Sequence, residues 1–331
     1  MGKQKVYSEF PFIRNFVNSY PKTNVPGEDS IQELKLWSDI NAYIFRANIH
    51  LDISVSEFGM FVQQEEYYKF WWKKSCDGEC NIEFNNNNFP DIERLTDEND
   101  LCSSVYLTTK SDEICKKAED SFGVIILNSS HTKSTNKIFQ VYLESVKKGN
   151  HSHQDWRFLA KLKHPCNSLA IVDNYILKNE TVIRENLIPI LDQLLPSSLE
   201  IDFHLSVFSM NEFNNDRYFR LVQSELQRLR PNLTCKITLH QIRNSEFHDR
   251  CLMTNYLLCD SGSGFDLFVN RKAIHQTIVL GLFPFSANNM NPDQTVTYED
   301  LKLALKKMKN NAAQNPNFRN YWGDNVNRLL N

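Results

Sequence analysis

The stretch Leu169-Ala-Ile-Val-Asp-Asn-Tyr-Ile-Leu177 opens an alternation that runs through the second half of the chain. A short apolar run bounded by polar residues reads as a buried strand. It is followed by Ile183, Leu187, Ile190, Leu191 and Leu194 on one helical face, with Pro189 in the first turn or at a kink. Residues 203–208 read as a second strand. Phe219, Val222, Leu226 and Leu229 then repeat at helical spacing until Pro231, where a helix must end. Residues 235–239, 247–259 and 276–283 read as three further strands. Strand-helix-strand-helix-strand order implies parallel neighbours joined by crossovers, so this half is α/β. Thr297-Tyr-Glu-Asp300 has the form of a capping box and starts a closing helix.

Working outward, residues 1–30 carry Pro11, Pro21, Pro26 and Gly27 and read as an irregular arm. Residues 31–47 have helical periodicity, and 49–63 alternate like strands through Ile49, Leu51, Ile53 and Val55. Residues 82–100, with four consecutive Asn from Asn85, read as an exposed loop. Residues 104–109, 112–120 and 123–127 spell strand, helix, strand, and 133–148 suggest another helix. The expected organisation is an N-terminal α/β module over 31–150, a linker over 151–166, a second domain over 167–290 and a basic helical tail over 291–331. The module is a candidate surface for a protein partner.

The chain has 331 residues, with 37 Lys+Arg against 40 Asp+Glu. Its 41% hydrophobic content argues against a disordered chain. A net charge of −3 gives no global attraction to nucleic acid or anionic membrane, so such binding needs a local patch. The polar start, the lack of an apolar run of roughly 18 residues and the scattered cysteines point to a cytoplasmic protein with reduced thiols. Glycine is scarce, at 10 residues, so its placement is informative.

Two of those glycines fall in the segment with the most chemistry. His248 and Arg250 are two apart, so on a strand they project from one face. An imidazole beside a guanidinium suits a phosphoryl group: one as nucleophile or acid, the other as an oxygen clamp. Asn255 follows, and Gly262 and Gly264 allow a tight turn whose N–H groups can face an anion. The candidate site is therefore His248 as the catalytic group, with Arg250, Asn255, Gly262 and Gly264 binding the ligand.

His248-x-Arg250-x4-Asn255 resembles the His-x-Lys-x4-Asp half-motif of the phospholipase D superfamily, with Arg for Lys and Asn for Asp. The wider segment, about residues 169–286, is similar to the C-terminal phospholipase-D-like domain of MIT-domain (microtubule-interacting and trafficking) proteins. The likeness rests on Asp173-Asn-Tyr-Ile176, Asn186, His248-Asp-Arg250, Asn255-Tyr-Leu257, Gly262-Ser-Gly-Phe-Asp-Leu-Phe268 and Leu280-Gly-Leu-Phe283. It implies a mixed sheet flanked by helices, and a degenerate, dimeric domain that associates with acidic phospholipid. In the wider superfamily two motifs complete one active site, so a single copy implies a homodimer for catalysis. By analogy, a prokaryotic relative with a different N-terminal module points to phage defence.

The leading expectation is a binding protein for nucleic acid or an acidic headgroup, held by Arg250 and the basic tail. The alternatives are a homodimeric phosphodiesterase or nuclease using His248, and a structural partner in which His248, Asp249 and Arg250 form an inert network. Neither metal nor cofactor is expected. Cys76 and Cys80, with Cys102 and Cys115, are read as scattered thiols rather than a zinc site. His151, His153 and His164 are read as solvated. The aromatic and cationic run 67–74 is read as core with a charged end rather than a base-stacking surface. The tail contributes Lys302, Lys306, Lys307, Lys309, Arg319 and Arg328.

Overall fold

The computed structural model describes residues 5–19, 28–86, 89–98, 100–102, 104–128, 141–149, 153–210, 215–242, 250–283, 292–314 and 321–331. The chain forms two compact units, and the fold is α/β throughout. The first comprises Met1–Glu119, Val124–Gln140 and Phe285–Pro292; the second takes Asp120–Gly123, Val141–Pro284 and Asp293–Asn331.

The first unit runs β1 (Lys5–Glu9), α1 (Phe10–Asn18), α2 (Glu28–Arg46), β2 (Asn48–Asp52), α3 (Val55–Gln64), α4 (Glu66–Cys76), β3 (Asn81–Phe84), β4 (Ser104–Thr108), α5 (Asp112–Phe122) and β5 (Ile125–Asn128). The last turn of α5 passes into the second unit. The five strands form one parallel sheet in the order β3-β2-β1-β4-β5.

The expected N-terminal arm is therefore corrected: β1 is the central strand, with Val6, Tyr7 and Ser8 buried. Its five residues are too few to show a period. Pro11 opens α1, where its missing N–H is not needed. The strand expected over 49–63 stops at Asp52. Ser54 then caps α3, accepting the Glu57 N–H while the Glu57 carboxylate accepts the Ser54 N–H. Local capping overrides the alternation. The aromatic run is core on one side: Tyr68 and Trp71 are buried beside Phe58, whereas Phe70 faces outward. Of the exposed loop expected over 82–100, residues 82–84 belong to β3, and Ile92 and Leu95 are buried.

The second unit begins with β6 (Tyr142–Val146), a strand where a helix over 133–148 was expected. Most of the rest of that range lies outside the described residues. Then come β7 (Ser168–Val172), α6 (Glu180–Val182), α7 (Ile188–Leu194), β8 (Phe203–Ser209), α8 (Asn215–Leu229), β9 (Cys235–Gln241), β10 (Cys251–Thr254), β11 (Leu258–Ser261), the short pair β12 (Phe268–Val269) and β13 (Lys272–Ala273), β14 (Thr277–Leu282), α9 (Pro292–Gln314) and β15 (Tyr321–Gly323). A π turn, Ile183–Leu187, joins α6 to α7 just ahead of Pro189. Eight strands form one sheet in the order β15-β9-β8-β7-β10-β11-β14-β6. β7, β8 and β9 are parallel, and the other pairings are antiparallel, so the sheet is mixed. Of the single strand read over 247–259, residues 247–249 lie outside the described residues, and the rest is a hairpin of β10 and β11. Thr254 Oγ1 accepts the N–H groups of Tyr256 and Leu257 and turns the chain between β10 and β11.

Two further expectations change. The linker over 151–166 contains a 3-10 helix, Trp156–Leu162, whose Trp156, Leu159 and Leu162 are all buried. Trp156 packs between Phe265 and Phe268 and donates its indole N–H to Asn186 Oδ1 at 3.0 Å. Asn186 also brackets the backbone N–H and C=O of Phe268, both at 2.8 Å. A polar-looking segment is thus core, because three apolar residues on one side suffice.

The basic tail is likewise built into the unit. β15 extends the sheet beside β9, and Gly323, at φ 108°, leaves no room for a Cβ against Ile237 O. Asn327 donates to Leu169 O and Ser206 Oγ, and Leu329 and Leu330 are fully buried. Lys309 is buried against Asn331 Oδ1, and Arg328 donates to Asp202 O. Two of the six expected surface cations therefore stabilise the fold. Arg319 lies outside the described residues.

Candidate anion-binding site

In open α/β sheets, ligand sites gather at the carboxyl ends of the parallel strands. Here the register pairs Val172, the last residue of β7, with Cys251, the first of β10. Asp173 and Arg250 therefore meet at one end of the sheet. The Asp173 N–H donates to Phe208 O at 3.0 Å, which ties the end of β7 to β8.

Asp173 is fully buried and holds two loops together. Its Oδ1 accepts the Tyr175 N–H and its Oδ2 the Phe265 N–H, each at 2.7 Å. Burial pushes the carboxyl pKa up, against the pull of those two N–H groups and of Arg250. Between the loops sits Gly264 at φ 95°. A Cβ there would lie 2.6 Å from Asp173 Oδ2 and 3.1 Å from Arg250 Nη1. The glycine is what lets carboxylate and guanidinium approach across the turn.

The turn does not form an anion nest, which corrects the role expected of the glycine N–H groups. Gly262 N–H points to Ile278 O, Ser263 N–H donates to Thr277 Oγ1, and Gly264 N–H closes on Ser261 O. Each donor is already used. Gly262 contributes surface to the site; Gly264 contributes space beneath it.

Above the turn opens a cavity of about 470 Å³. Arg250 and Lys178 line it as cations, Asp266 as the carboxylate and His275 as the imidazole, with Tyr175 and Gly262-Ser263 between them. Arg250 Cζ is 5.7 Å from the Tyr175 ring centroid and Lys178 Nζ is 5.9 Å from it. Among the described residues, neither cation has a hydrogen-bonding or ion-pairing side-chain partner. The lining thus offers a ligand two cationic donors, with the Asp266 carboxylate beside them and that of Asp173 beneath the turn.

No protein-family model and no curated protein matches this chain. The reading of the site therefore rests on its own chemistry.

Of the expected site residues, Arg250 and Gly262 line the cavity and Gly264 lies under it. His248 and Asp249 lie outside the described residues. Asn255 is corrected from ligand-binding to structural. It is fully buried, its Oδ1 accepts the N–H groups of Asn167 and Ser168, and its Nδ2 donates to Asn167 Oδ1. The sequence reading did not single out Asp173, Tyr175, Lys178, Asp266 or His275 as site residues. Asp173-Asn-Tyr175 after a strand is an Asx-turn pattern and was open to recognition. Lys178 and His275 carry no local signal.

The other constellations are structural. Among the described residues, no group of three or more His, Cys, Asp or Glu is placed to hold a metal ion. Cys80 is buried and donates to Trp71 O. His153 pairs with Glu144 rather than standing in solvent. His164 is partly buried and engaged at both ring nitrogens: Nδ1 meets Leu162 O at 2.7 Å and Nε2 meets Thr254 Oγ1 at 2.6 Å. His151 is outside the described residues. Among those described, no helix is long and apolar enough to cross a membrane.

Proposed function

We propose that the second unit binds a phosphate-bearing ligand in the cavity above Gly262 and Gly264. The observation that carries this is the convergence of Arg250 and Lys178, both unpaired among the described residues, on one open cavity. A guanidinium offers two parallel N–H donors that match phosphate oxygens, and an ammonium adds a point charge. Arg250 is partly buried and Lys178 exposed, so an anion entering here can meet both without either having to leave a burial site. The degenerate phospholipase-D-like reading of residues 167–290, and with it a role in phage defence, agrees with an anion site whose motif has exchanged Lys for Arg. An inert network is the weaker reading, because Arg250 borders open space.

The test is calorimetric titration with inorganic phosphate and glycerol 3-phosphate. Arg250→Ala should weaken binding about 10- to 100-fold, as expected for a hydrogen bond to a charged group worth roughly 1.5–3 kcal/mol. Wild-type affinity in that variant would remove the proposal.

One observation favours a second reading, phosphodiester hydrolysis. His275 supplies an imidazole in the same cavity as Arg250, and His248 is two residues from Arg250 in sequence. On this reading one chain holds both imidazoles, one as nucleophile or base and one as acid. Cleavage of bis(p-nitrophenyl) phosphate should then be present in the wild type and fall at least 100-fold in both His248→Gln and His275→Gln. A wild type without cleavage, monomeric or dimeric, ends the enzymatic reading.

A further inference from the structure

We propose that the ligand of this cavity is a phosphate ester carrying a planar heterocycle, its ring stacked on Tyr175 and its phosphate held by Arg250 and Lys178. This rests on the phosphate-binding reading and narrows it to one chemical class.

Tyr175 is 37% exposed, one of the large apolar side chains left open to solvent. Its position is fixed from below, because its N–H is held by the buried Asp173 carboxylate at 2.7 Å. Both cations lie within 6 Å of its ring centroid, at 5.7 and 5.9 Å. A phosphate between them sits beside the ring, so whatever the phosphate carries meets an aromatic face. Base-on-aromatic stacking is worth roughly 1–3 kcal/mol and tolerates any base.

The rest of the lining selects against the other sources of phosphate. Among the described residues, no Leu, Ile, Val or Met side chain lines the cavity, so these residues offer an acyl chain little to lie on. Ser263 donates its hydroxyl to Gln276 O at 2.7 Å, which leaves its oxygen as an acceptor toward the cavity. Asp266 is a carboxylate with no hydrogen-bonding partner among the described residues. It repels a bare anion, but it accepts from sugar hydroxyls or an exocyclic amine. About 470 Å³ suits a single small-molecule ligand rather than a length of strand.

The experiment titrates wild type, Tyr175→Leu, Tyr175→Phe and Arg250→Ala with AMP, a 5′-phosphorylated oligonucleotide, glycerol 3-phosphate and phosphatidic acid vesicles. Wild type should bind AMP or the oligonucleotide end at least about fivefold more tightly than glycerol 3-phosphate. Which of the two binds better identifies a free nucleotide or a strand end as the source. Tyr175→Leu should lose 5- to 100-fold for the nucleotide with glycerol 3-phosphate unchanged, and Tyr175→Phe should retain wild-type affinity. A wild type that prefers glycerol 3-phosphate or vesicles overturns the inference and needs no variant to fold. So does a folded Tyr175→Leu with full AMP affinity; in either case, loss of binding in Arg250→Ala leaves the phosphate-binding reading standing. No binding of any of the four probes removes both.

Discussion

Gly264→Ala should abolish ligand binding and destabilise the second unit by about 3 kcal/mol or more. Gly264 sits at φ 95°, where an L-residue is strained whatever space surrounds it. Space is also missing, since the new Cβ would lie 2.6 Å from Asp173 Oδ2. Either the turn or Asp173 must move. If Asp173 moves, the N–H groups of Tyr175 and Phe265 lose a shared acceptor at a buried site. Each orphaned donor costs roughly 1–3 kcal/mol. The same displacement shifts the Tyr175 loop and pushes on Arg250 Nη1, 3.1 Å from the added atom. Gly262→Ala is the control, because its Cβ would meet only Thr277 Oγ1, at 3.7 Å. Urea unfolding of the two variants should therefore diverge. Equal behaviour would show that the turn has slack and that Asp173 does not join the two loops rigidly.

Acid should weaken the second unit well above the range in which its carboxylates titrate. Burial lowers His164 from 6.5 to about 4, and burial with the Lys309 ammonium lowers His240 from 6.5 to about 3. Between the folded and unfolded values the unfolded chain binds more protons, so stability is lost as pH falls through that interval. At pH 5 each histidine should cost about 2 kcal/mol relative to neutral pH. The geometry explains the resistance to protonation. His164 has one ring nitrogen on a carbonyl and the other on Thr254 Oγ1, which already accepts two N–H groups. His240 stacks on Phe208 at 4.3 Å and 7°, and neither ring nitrogen has a hydrogen-bond partner among the described residues. His240→Phe keeps the stack and removes the titrating group. It should be close to neutral at pH 7 and recover about 2 kcal/mol at pH 5. Urea midpoints at the two pH values decide the matter: a variant that loses as much stability as wild type on acidification would show that His240 is not the sensor.

Legibility from sequence followed the length and independence of each signal. The parallel core β7, β8 and β9 was readable because β7 holds a continuous apolar run, β8 and β9 carry apolar residues at alternate positions, and each intervening helix has its own period. β1 and β15 were not, because each carries only two apolar or aromatic residues among polar neighbours and glycine, and their partners are far away in the chain. The Trp156–Leu162 turn was hidden by its charged neighbours, although Trp156 is among the largest fully buried side chains. Lys309 and Arg328 read as surface charge because nothing local announces their acceptors, Asn331 Oδ1 and Asp202 O.

The candidate site divides along the same line. Arg250 and the Gly262–Gly264 turn were legible because their spacing after His248 is a local property of the chain. Asp173 brings together N–H groups at positions 175 and 265, and only the pairing of β7 with β10 makes those neighbours. Lys178 and His275 enter the cavity for the same reason. By itself the sequence determined the α/β class, the order of the second unit's central elements and one cation of the site, since periodicity and short motifs are written over a few residues. The tertiary structure alone decided which strand is central in the first unit, that the tail and linker contribute core residues, and that two cations, a tyrosine, an imidazole and the Asp266 carboxylate share one cavity. Such groupings depend on long-range strand register and burial, which no local window of sequence contains.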